Sequence, residues 1–253
     1  MPPYESRQPI LPGTAATDYE RYLRTDELLA LQKKPEQMSH PDELIFQVVH
    51  QSSELLLHGS CYDLERARVH ITEGDLVNAA RLMRRANGML DHPIELLRVL
   101  ESFTPYDYHK IRAGLGHGSG LDSPGFLSLL RIAPRLGEAF FTRLETASLT
   151  VEEVYRQGFT GPSAPLHDVA ERLVDFDERV QIFRFQHLKL AQRIVGPNVI
   201  GTGGLPMELL QQRQEHFFYK PLWEARNLIT ARVAEEGQRK EDAQRKEDAQ
   251  RKG

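Results

Sequence analysis

From Leu44 to Ile194 apolar residues return every three or four positions with few interruptions, and no convincing run alternates at period two between turn signals. A chain patterned this way buries its apolar stripes by laying helix on helix. The expected fold is therefore all-α, a single-domain helical bundle. With 253 residues, 40% of them hydrophobic, there is material for a sizeable core.

Cap and breaker residues divide the chain. Residues 1–16 read as a Pro-rich arm, 17–236 as the helical domain, and 237–253 as a charged tail repeating QRKEDA, either a solvated helical extension or a disordered end. Within the domain, "TDYERYLRTDELLALQ" predicts a helix with Thr17 or Asp18 as its N-cap. A break at "KKPEQMSHPDE" precedes a long helix, with Pro41 suited to its first turn. "EGDLVNAARLMRRANGMLDHPIELLRVLESF" predicts the next, starting near Asp75. Gly114 to Gly125 reads as a loop, residues 134–157 and 165–196 as further helical pieces, and "GPNVIGTGGLP" as a second Gly-rich loop before the closing helical region.

A net charge of −4 gives no electrostatic footprint for nucleic acid or anionic membranes. Cys61 is the only cysteine, so no disulfide framework and no cysteine metal site is expected. The N-terminus lacks a basic region followed by an apolar run, and no apolar stretch approaches a membrane span, so a cytoplasmic protein is expected.

Two histidines interrupt the apolar stripes. Val180, Phe183, His187, Leu190 and Ile194 share one helical face, with His187 where a leucine would normally stand. His50 sits similarly among Leu44, Val48, Val49, Leu55, Leu56 and Leu57, with Phe46 one turn before it. An unsatisfied buried imidazole costs roughly 1–3 kcal/mol, so each ring needs partners. A core histidine bonded to a neighbour is the plain reading; a single histidine on each of two apolar helices also suits a flat apolar cofactor such as heme. Zinc fits poorly, because HExxH and CxxC are missing and no carboxylate is expected one turn from either histidine on the same face. Arg112 stands in a helix that runs into "GLGHGSG", with Tyr108 one turn before it, a pairing that could grip a carboxylate or simply face solvent. "GTGG" at 201–204 reads as an anion nest or a connector. His58, His117 and His216 read as structural or exposed.

Four blocks, in order, resemble the tryptophan 2,3-dioxygenases, within the wider group of histidine-ligated, heme-dependent aromatic oxygenases. "YERYLRTDELLALQ" is similar to the family's N-terminal segment and "DELIFQVVHQSSELLLHGSCYDLERA" to its distal-histidine helix. "FTPYDYHKIRAGLGHGSG" is similar to its substrate-carboxylate segment, and "FRFQHLKLAQRIVGPNVIGTGG", followed by "FFYKPLW", to its proximal-histidine helix and glycine loop. The resemblance implies heme b, with His187 as the iron ligand and its second ring nitrogen held by an acceptor, and O2 as co-substrate. It implies His50 as the distal histidine, Phe46 as a wall for the substrate ring, Tyr108 and Arg112 on the amino-acid carboxylate, Thr202 on the ammonium group or that carboxylate, and Ser119 near the heme edge. It further implies a homo-oligomer, dimer or tetramer, in which the N-terminal helix bearing Tyr19 and Tyr22 closes a neighbour's pocket.

Departures surround the substrate side. "SGLDSPGFLSLLR" is longer than the family's usual run and carries a proline, the segment before the His187 helix is short, and Leu56, Leu57 and His58 follow "HQSSEL". The first reading is a dioxygenase of the indole ring of L-tryptophan. The second is a heme monooxygenase or hydroxylase of tryptophan, tyrosine or a derivative, and the third a non-enzymatic helical scaffold.

Overall fold

The computed structural model describes residues 8–197 and 216–252, and every regular element among them is helical. Thr17 caps α1 (Asp18–Leu23) in a reciprocal capping box: Glu20 N–H donates to its hydroxyl and its own N–H donates to the Glu20 carboxylate. The single N-terminal helix expected from sequence is broken at Arg24, which adopts a left-handed conformation (φ 54°) before α2 (Thr25–Leu29). The long α3 (Glu43–Glu73) starts with Asp42 as its N-cap, so Pro41 lies just outside it and not in its first turn. Its 31 residues span about 46 Å.

A tight turn returns the chain into α4 (Leu76–Leu100), whose N-cap Asp75 accepts from Asn78 N–H. The short α5 (Pro105–Ala113) ends at the glycine loop, and a 3-10 turn at Gly120–Asp122 leads into α6 (Pro124–Thr146). Gly125, expected in the loop, belongs to the first turn of α6. Then follow α7 (Val151–Gln157), α8 (Ala164–Ile194) and α9 (Lys220–Lys252), so the described part of the repeat tail is helical. Among the described residues no helix is long and apolar enough to cross a membrane.

The apolar faces meet in two groups. The larger core, including Leu64, Ile71, Leu82, Met83, Leu136, Phe140, Leu173 and Phe176, is where α4 packs against α3 and α8, and α3 against α6. A smaller cluster of Val49, Leu97, Leu100, Phe103, Ile111, Leu190 and Ile194 gathers the start of α3, the ends of α4 and α8, and α5. The start of α9 is pinned to α8 by Asp177, a fully buried carboxylate that accepts from the N–H groups of Phe218 and Tyr219 and from Trp223 Nε1 at 2.9 Å. The Tyr219 hydroxyl in turn donates to the Ala133 carbonyl of α6.

Candidate active site

Beside the smaller cluster lies a cavity of about 420 Å³. Its apolar wall comes from Leu97, Leu100 and Phe103 of the α4 end and from Leu190 and Ile194 of α8. Both flagged histidines line it, along with Phe46, Tyr108 and Ser119.

The His50 Nδ1 lies 2.7 Å from the Phe46 carbonyl oxygen one turn back. A carbonyl only accepts, so Nδ1 carries the proton and Nε2 is left as an acceptor. The ring is exposed, but to the cavity; burial in those apolar surroundings lowers its pKa below the ordinary histidine value, partly opposed by the Phe46 carbonyl and the Glu54 charge. Phe46 lies over the ring, centroids 4.1 Å apart, and its other neighbour is Tyr108 at 6.3 Å.

The His187 pKa is also lowered, first by burial and then by the nearby His50. Phe183, one turn earlier on α8, stacks on the ring at 18° between planes. The acceptor expected behind this imidazole is not found: among the described residues neither ring nitrogen has a hydrogen-bond partner, and stacking sets its orientation instead. In front of it, a Cβ built on Gly120 would lie 3.2 Å from Nε2, a tight contact that glycine avoids.

A neutral imidazole with an uncommitted nitrogen, in a slot walled by leucine, isoleucine and phenylalanine, matches what a porphyrin iron requires of a protein. The residues present fit heme.

The remaining expected residues are dispersed. Arg112 follows Tyr108 by one turn on α5 but is not part of the cavity wall; it is half-buried, and its guanidinium has no hydrogen bond or ion pair among the described residues. His40 Nε2, 3.2 Å from the Asp107 carboxylate, ties α5 to the segment before α3. Tyr19 and Tyr22 are 69% and 77% exposed on α1. Thr202 and the GTGG stretch lie outside the described residues.

Glu54 overturns the expectation that no carboxylate stands one turn from either histidine on the same face. It lines the cavity one turn after His50; its carboxylate accepts the Ser123 hydroxyl and, at 2.9 Å, the Gly125 N–H. The one available signal was its i,i+4 spacing from His50.

Fold and site together define an all-helical protein in which two imidazoles line one largely apolar cavity. A family model for tryptophan 2,3-dioxygenase matches residues 6–137. The chain belongs to the tryptophan 2,3-dioxygenase family, and with it to the heme-dependent oxidoreductases. Among its relatives, the tryptophan 2,3-dioxygenase of Bacillus thuringiensis (strain Al Hakam) is 27% identical over 260 residues, covering 83% of this chain and 92% of that protein. That of Serratia proteamaculans (strain 568) is 26% identical over 84% of this chain and 93% of its own length. That of Pseudomonas fluorescens (strain Pf-5) is 25% identical over 90% and 97% respectively.

Proposed function

We propose that the chain uses heme b and O2 to oxygenate the indole ring of L-tryptophan, yielding an N-formylkynurenine-type product, with His187 as the iron ligand. The observation that carries this reading is the pair of neutral imidazoles, on α8 and α3, lining one apolar cavity. Bound heme would supply the ferrous iron at which dioxygen is activated.

The chain's own residues do the positioning. His50, its Nδ1 proton committed to Phe46, offers Nε2 as acceptor for the indole N–H. Phe46 walls the substrate ring. Tyr108 and the guanidinium of Arg112, which has no hydrogen bond or ion pair among the described residues, take the carboxylate, an interaction that selects free amino acids. Ser119 supplies a polar group at the heme edge, and Thr202 takes the ammonium group or the adjacent carboxylate. The leucine and phenylalanine wall keeps water away from the reacting centre. Both oxygen atoms enter the substrate, so no reductant is consumed per turnover.

The exposed Tyr19 and Tyr22 are consistent with α1 closing the pocket of a second copy in a homo-oligomer, and the enzyme is assigned to the cytoplasm.

The test is an absorption titration of the ferrous protein with L-tryptophan, followed by product mass. A Soret band that shifts on titration and a product heavier by two oxygens support the proposal. A gain of one oxygen selects the hydroxylase reading, and a colourless protein selects the scaffold.

A further inference from the structure

We propose that Glu54 is a positioning residue that fixes the Ser119–Ser123 turn against His187 and so sets the width of the substrate slot. The inference rests on the heme-oxygenase reading for its consequence, though not for its geometry.

Glu54 reaches from α3 to the beginning of α6. One carboxylate oxygen accepts the Ser123 hydroxyl and the other accepts Gly125 N–H at 2.9 Å. Ser123 is itself the N-cap of α6, accepting from Phe126 N–H at 3.1 Å, so the carboxylate completes the cap and lies at the positive end of a 23-residue helix. Close approach is built into the sequence. A Cβ on Gly125 would come within 2.7 Å of both Glu54 Oε2 and Leu57 Cβ, and nothing larger than hydrogen fits.

The segment just before this anchor is the one that meets His187. Ser119 N–H donates to the Asp122 carboxylate and Leu121 N–H to the Ser119 hydroxyl, folding residues 119–122 into a compact turn. That turn presents Gly120 to His187 Nε2. Its internal bonds hold its shape but do not tie it to the bundle. The bonds to Glu54 do, on the same helix as His50 and one turn away. One carboxylate therefore fixes the distal imidazole helix relative to the turn facing the opposite imidazole.

The test uses Glu54→Ala, Ser123→Ala and Ser123→Thr in the full-length protein, with amide hydrogen exchange and, after heme loading, steady-state kinetics. Losing a charge-assisted bond should accelerate exchange at residues 119–125 by about tenfold or more in both alanine variants, with the α4 amides unchanged. KM should rise by about tenfold while kcat changes less, because a loosened wall mispositions substrate without touching the iron ligand. Ser123→Thr keeps the hydroxyl and should restore both readouts. Unchanged exchange at 119–125 in a folded Glu54→Ala protein overturns the tether. Faster exchange with unchanged KM overturns its role in positioning, and if Glu54→Ala does not fold, the two Ser123 variants decide. Should the wild type hold no heme, the function proposed above fails while the exchange data still judge the tether.

Discussion

His187 and His50 are bases kept uncharged by where they stand. If His187 is the iron ligand, His187→Ala abolishes the Soret band of heme-reconstituted protein. His50→Ala should retain the band and lose turnover by roughly a hundredfold, the range for a lost acid-base group. A pH dependence follows from the His50 environment. Burial holds its folded pKa below the ordinary value of 6.5, so between the two values the unfolded chain binds more protons than the folded one. The His50 contribution to stability is therefore complete above about pH 6.5 and declines as pH falls through the window beneath it. Thermal melts of heme-free protein from pH 8 to pH 5 should show this, and His50→Leu should flatten part of the slope. These two residues were legible in the sequence because an imidazole in a leucine stripe is a local contradiction. Glu54 was not. A glutamate on a helix reads as solvated face, and its partner Ser123 stands 69 positions away, where no local pattern connects them.

At the level of elements, periodicity located the helices because burial on a bundle repeats every turn. It blurred their ends, where single backbone conformations decide. The break at Arg24 needs a left-handed residue that no breaker announces, and Gly125 looks like loop until its contact with Leu57 shows why a helix needs glycine there. The joint between α8 and α9 was invisible for a similar reason: Asp177 sits among apolar neighbours, but its partners come from "FFYKPLW", some forty residues on. Asp177→Ala strands several buried donors at once and should cost about 3 kcal/mol or more, read from urea melts. Because Trp223 is the only tryptophan in the chain and donates directly to Asp177, its fluorescence should also change in the folded variant.

Across the whole molecule, the large core is closed on itself while the N-terminal segment carrying α1 and α2 leaves Tyr19, Tyr22, Leu29 and Leu31 in solvent. If α1 completes another copy's pocket, light scattering should give a multiple of 28.9 kDa, and Tyr22→Ala should raise KM without lowering heme content. A monomeric mass at assay concentration rules out the exchange. The residues by themselves place this helix but not its destination, which only the family resemblance suggests, since an exposed tyrosine carries no address. The smaller cluster differs from the large core in that it borders the cavity. A flat apolar group seated there would add dispersion contacts to the side chains that line it. That end of the bundle is thus a mould: whatever is cast into it becomes part of the protein's own interior and should make it the stiffer solid.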